Sequence, residues 1–462
     1  MTTDLTQPAS RAALGSLYRD TLLQDVIPFW LRHGMDHDHG GILTCLDRDG
    51  SLVDTDKSVW FQGRSAWMFT TLANTAFSSP SHPSEERAGV RGHEQLAPNI
   101  APSPQTAPPP HPQSLSSDGG EGSLKRADLL AASRSCIEFI RRHCYAPDGK
   151  MLFTVTREGR PLRMRRYVYS ESFSAIANAA YARASGDARA AEDAVKIFAT
   201  YLHHSFTPGV MPPKFEPTRP MKGIGPHMIG IATAQELRAN LGDVTVSGRT
   251  CTEWIDRSIA EIERDFLKPD HRALLEAVAP DGSVIDHHDG RTLNPGHAIE
   301  CAWFVMHEGA LRGDKRLIQL GTTILDWMWA RGWDAEHGGL LYFTDLLGKP
   351  VQEYWHDMKF WWPHNEAIIA TLLAWQLTGE SRFAAMHAQV HDWSFKHFPD
   401  SEHGEWFGYL HRDGRISSRA KGTIYKGPFH LPRMLWYCWQ RLAVGQPGQV
   451  ESPAPFASRL WA

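Results

Sequence analysis

The sequence predicts an all-α fold, an (α/α)6 barrel of six helical hairpins. Three observations carry this. Apolar residues recur at three- and four-residue spacing through most of the 462-residue chain. The starts of the strongest such runs return at a near-constant interval, as in repeat architectures. Short Gly-flanked, strand-like pieces, "GGLLYFTDLLG" and "GEWFGYLHRDG", fit β-hairpins in the loops at one end.

Helical runs are read in "SFSAIANAAYARASG", "HMIGIATAQELRANLG", "AIECAWFVMHEGALRG" and "NEAIIATLLAWQLTG". Each closes on Gly, as a helix C-terminus prefers. Each opens at a turn residue, Ser170, Pro226, Pro295 or Pro363, and Pro suits a first helical turn. Just inside these starts stand Glu171, His227, His297 and His364, with His430 following Pro428. Successive members lie 56 to 70 residues apart. Arg64, in "VWFQGRSAWMFTTLAN", completes a sixth repeat once residues 78–123 are set aside. Between members there is room for one further helix, such as "DARAAEDAVKIFATYLHHSF". Each hairpin would bury its apolar face on its neighbours. The all-round apolar "AIIATLLAW" marks an inner helix covered on both sides.

The expected organisation is one catalytic domain formed by residues 1–77 and 124–445, with a C-terminal tail at 446–462. Residues 78–123, rich in Pro, Ser and Gly and without apolar periodicity, read as a disordered insertion. With 48 Lys and Arg against 52 Asp and Glu, nothing suggests a nucleic-acid or anionic-membrane partner. No apolar run is long enough to span a bilayer, and the N-terminus lacks a secretory signal. The six cysteines form no CxxC pair, so a reducing cytoplasm is expected, with Cys301 read as a buried structural thiol.

Inner-helix N-termini converging on one mouth would gather Arg64, Glu171, His227, His297, His364 and His430. The unpaired N–H groups of a helix start disfavour a charged imidazolium. Histidines there are therefore expected to stay neutral and able to act as bases. Trp60, Trp303, Trp361, Trp362 and Trp406 run through the same segments and suit stacking on sugar faces. Metal is not favoured: HExxH is absent, and "MDHDHGG" (residues 35–41) reads as a short exposed turn. A Ser–His–Asp triad lacks a GxSxG anchor. Glycosidase chemistry needs two opposed carboxylates, an option that Glu171, Glu300 and Glu366 keep open.

"KSVWFQGRSAWM" (57–68), "LNPGHAIECAW" (293–303), "MKFWWPHNEA" (358–367), "GEWFGYLHRDG" (404–414) and "KGPFHLPR" (426–433) resemble the N-acylglucosamine 2-epimerases. The resemblance runs from about residue 20 to 443, without the insertion. It implies the six-hairpin barrel and interconversion of N-acetylglucosamine and N-acetylmannosamine. It also implies that His297 and His430 are the acid/base pair, with Arg64, Glu300 and Glu366 assisting. No cofactor is implied for the chemistry. Some members use ATP as an activator, but no motif here establishes an ATP site. A homodimer is implied. The expected chemistry is ring opening, removal of the C2 proton, and reprotonation from the opposite face. Two imidazoles of similar basicity would suit it, and Arg64 would stabilise the developing oxyanion. An aldose–ketose isomerase, an epimerase of an unsubstituted hexose or disaccharide, a glycoside hydrolase and a non-catalytic binding protein are the competing readings.

Overall fold

The computed structural model describes residues 3–77 and 124–444, so the 78–123 insertion and the tail lie outside the described residues. Among these, twelve long helices alternate between two shells. The inner helices are Val59–Thr75, Tyr169–Ser185, Gly225–Leu241, Pro295–Arg312, Trp361–Thr378 and His430–Val444. Each contacts the next, and the last returns to the first, so the ring closes. Each inner helix is backed by the outer helix that follows it. The exception completes the circle: His430–Val444 packs on the N-terminal helix Pro8–Asp20, joining the two ends of the chain.

Burial explains which helices go inside. Every residue from Trp361 to Trp375 is buried, so this helix has no polar face to turn outward. The outer helix Ala188–Phe206 buries only Ala190, Ala194, Ile197, Phe198, Tyr201 and Leu202, one stripe at helical spacing. Gly186, Gly313 and Gly379 end their helices in the left-handed conformation. Gly242 has positive φ but an extended ψ, so it turns the chain differently. Pro295 is the first residue of its helix, Pro226 the second and Pro363 the third. No described helix is long and apolar enough to cross a membrane.

The mouth is tied by strand pairs between successive repeats. Lys57–Ser58, Lys222–Gly223, Thr292–Leu293 and Lys359–Phe360 each run into an inner helix. They pair with Thr154–Val155, Ala277–Val278, Thr344–Asp345 and Tyr409–Leu410, all from the following loop. "GEWFGYLHRDG" does form a hairpin with Ile416–Ser418, whereas the strand of "GGLLYFTDLLG" pairs back to Thr292–Leu293 instead. Each pairing fixes an inner-helix start against its neighbour. For Pro295–Arg312 the Asn294 side chain adds an N-cap, accepting from the His297 N–H at 3.0 Å. Asn294→Ala is expected to lower stability by about 1 kcal/mol in urea unfolding, the usual cost of a lost cap.

"MDHDHGG" is a structural turn. Asp36 is buried and paired with Lys57 at 2.9 Å and Arg157 at 2.9 Å, while His37 and His39 face solvent. Asp334 with Lys359 and Asp400 with Lys421 repeat the arrangement at 2.9 and 3.0 Å.

Candidate active site

The inner-helix starts open onto a cavity of about 1610 Å³. An ordinary small-molecule site spans roughly 300–1,000 Å³. Arg64, His297, Glu300, Trp303, Trp362 and His430 line it, with Trp60 and Trp361. Both histidines approach one indole: Trp362 lies 4.9 Å from the His297 ring and 5.8 Å from the His430 ring.

His430 begins its helix. Its Nδ1–H donates to Glu366 Oε1 at 2.7 Å, which leaves Nε2 as the ring nitrogen with a lone pair. Glu366 is fully buried behind the cavity wall and also accepts from Trp303 Nε1 at 2.8 Å. Arg433, one turn after His430, donates to both Glu300 and Glu366 at 2.6 Å. The acidic groups near His430 could in principle hold a metal ion. Here the Arg433 guanidinium already bridges the two carboxylates. Burial, then the charges of Arg433 and Arg64, pull the His430 pKa well below the usual imidazole value.

His297 differs. Burial alone would lower its pKa, but its Nδ1 faces both oxygens of Glu276, at 3.1 and 3.2 Å. Glu276, with Glu300 and Glu366 farther off, overcomes the burial and raises the pKa. The expectation of a neutral His297 and a matched pair therefore gives way to an asymmetric pair: a nearby carboxylate outweighs the weak field of a helix start. Arg64 lies over Phe173 and Phe429 at 4.1 and 4.7 Å, and its Nε is buried without a partner. Burial, reinforced by Arg433, brings the Arg64 guanidinium down to about 9. It is a cation facing the cavity with no carboxylate hydrogen-bonded to it among the described residues.

Besides Glu366, four of the residues read as candidates stand outside the cavity wall. His364 is fully buried against Trp393 and Phe398, with Nδ1 bonded to the Phe360 carbonyl and Nε2 accepting from Leu340 N. Burial drives its pKa down to about 3. His227 turns to Phe206, Phe266 and Glu261, and burial lowers it to about 4. Glu171 accepts from Met151 N at 2.7 Å, and burial raises it to about 7. Trp406 stacks on Phe398 within the outer shell. His364 has both ring nitrogens bonded within the protein, while Glu171 Oε2, His227 Nδ1 and Trp406 Nε1 are buried without a hydrogen-bond partner; none of the four lines the cavity. Cys301 is buried, like the other five cysteines.

Two site residues were not singled out from the sequence. Arg433 lay in "GPFHLPR", three residues after His430, and that helical spacing was its signal. Glu276 comes from a loop 21 residues before His297, and no motif marks it.

A sequence profile of the N-acylglucosamine 2-epimerase (GlcNAc 2-epimerase) family matches residues 121–427. The chain belongs to the N-acylglucosamine 2-epimerase family. It is 32% identical over 443 residues to the N-acylglucosamine 2-epimerase of Mus musculus, covering 94% of this chain and 93% of that protein. Similarity to the Homo sapiens N-acylglucosamine 2-epimerase is 32% over 441 residues, covering 94% and 90%. Members of this family are epimerases, and the chain is accordingly an isomerase. The fold is also that of the cellobiose 2-epimerase from Spirochaeta thermophila, with a TM-score of 0.71 at 19% identity over 94% of this chain and 98% of that one.

Proposed function

We propose that this protein interconverts N-acetyl-D-glucosamine and N-acetyl-D-mannosamine by deprotonation and reprotonation at C2. The observation that carries this is the pairing of His297 and His430 at one indole, beside the unneutralised Arg64. Ring opening exposes the C1 aldehyde and acidifies the C2 proton. One imidazole takes that proton, and charge moves to the C1 oxygen, where a cation such as Arg64 stabilises it. The other imidazole returns a proton to the opposite face. The residues act as acid and base, and the chemistry needs no cofactor. Sequence similarity to the mouse and human N-acylglucosamine 2-epimerases supports the N-acetyl substrate. The proposed setting is a cytoplasmic homodimer, with ATP, where it acts at all, as an activator.

The cavity of about 1610 Å³ exceeds a single hexosamine, which favours a disaccharide as second substrate class; an unsubstituted hexose such as mannose, being smaller, gains no support from the volume. Proton NMR of N-acetylmannosamine with the protein in heavy water, with and without ATP, tests the proposal. The expected result is N-acetylglucosamine carrying deuterium at C2. Absence of both exchange and product overturns the N-acetyl assignment and moves it to mannose or cellobiose. A ketose product would place the protein among aldose–ketose isomerases.

A further inference from the structure

Glu276 is built to be immobile. It stands directly before the Ala277–Val278 strand, which pairs with Lys222–Gly223, and its carbonyl accepts from Ile224 N at 3.0 Å. Its carboxylate meets His297 Nδ1 with both oxygens, and both residues line the cavity. Across the site His430 faces the guanidinium pair Arg64 and Arg433. The two imidazoles therefore sit in fields of opposite sign.

We infer that Glu276 is a positioning residue that holds the His297 Nδ1–H and keeps the ring in its imidazolium form, so that His297 is the resting acid and His430 the resting base. This rests on the epimerase reading above. In the resting form the neutral His430 Nε2 takes the C2 proton, and the C2–H electron pair moves into the C1–C2 enolate. The His297 Nε2–H then delivers its proton to the opposite face of C2. The site is left with His430 charged and His297 neutral, and proton exchange with solvent restores the starting form. Substrate of the other configuration uses the same steps in reverse. The charged groups around His297 are Glu276, Glu300 and Glu366, with His430 as the neighbouring titratable ring. Tyr169, Tyr342 and Cys301 face Glu276.

The sign of the pH effect follows. A carboxylate beside His297 keeps its proton on to higher pH, so activity is lost on the alkaline side when that proton leaves. Glu276→Gln retains an acceptor for Nδ1–H and removes the charge, so the alkaline limb of kcat/KM should move to lower pH. Glu276→Asp, which keeps the charge, should return the limb toward the wild-type position.

The experiment follows C2 deuterium exchange and epimerisation from each of the two N-acetyl sugars in heavy water. With Glu276→Gln, kcat/KM for epimerisation should fall roughly 10- to 100-fold in both directions, within the range a general acid contributes. Exchange from the epimer whose C2–H faces His430 needs only the neutral His430 and should fall much less than epimerisation, which also shows that the variant is folded. Loss of exchange from both epimers in step with epimerisation, or an unmoved alkaline limb, overturns the inference. Wild-type protein that neither exchanges nor epimerises either sugar would instead overturn the epimerase reading itself.

Discussion

Replacing His430 by alanine is expected to lower kcat for epimerisation by roughly 10²- to 10⁴-fold, the range for loss of a positioned acid–base group. In activation free energy that is about 3–5 kcal/mol. The expectation follows from how completely the ring is prepared. Glu366 fixes Nδ1–H, Trp362 covers one side, and burial with two nearby guanidiniums keeps the ring neutral far below the ordinary imidazole range. The substitution leaves Glu366 bonded to Arg433 and Trp303, so the variant should remain folded. Stopped-assay turnover together with a urea melt checks both halves. Undiminished turnover in a folded His430→Ala protein would remove His430 from the chemistry.

Arg433→Met is expected to act on stability first, lowering it by about 3–5 kcal/mol, the cost of leaving a buried charge without its partner. Arg433 is 8% exposed and bridges Glu300 and Glu366, which are 7% and 0% exposed, through one nitrogen. Without the guanidinium the two carboxyl groups would face each other with no cation between them. One would have to take up a proton or draw in water. Activity should fall as well, because Glu366 is what aims His430. Denaturant melts of Arg433→Met and of the double variant Arg433→Met/Glu300→Gln separate the contributions. The second change removes one of the stranded carboxylates and should recover part of the loss. Equal stability of wild type and Arg433→Met would show that the bridge carries no net energy.

The helical hairpins were legible because burial leaves a periodic trace. "AIIATLLAW" (367–375) is apolar all round, and Ala188–Phe206 buries one stripe, the two patterns expected of inner and outer helices. The recurring helix starts were equally visible. A second repeat was present as well: "DHDHGG" at 36, "DAEHGG" at 334 and "DSEHGE" at 400 mark the three buried Asp–Lys turns. The third takes Glu405 into positive φ where the others use Gly41 and Gly339. Its carboxylate recovers ion pairing with Lys426 and a hydrogen bond from its neighbour Trp406 N.

What the sequence by itself determined, then, is the number of hairpins, the direction of each inner helix and the type of residue at each helix start. Only the tertiary structure decided which of those residues meet the cavity. Each residue turns a helix by about 100°, so sequence spacing fixes height along the axis but not the rotation that packing imposes. His227, third in its helix, rotates toward Phe206 and Phe266 of the outer shell, while His297, also third, rotates inward to Trp362. The charge state of the site was set the same way. Glu276 reaches His297 from a neighbouring loop, and Arg433 reaches Glu300 from another inner helix 133 residues away. Electrostatic fields act through space, so the acidity of each imidazole depends on groups that only the closed barrel brings together.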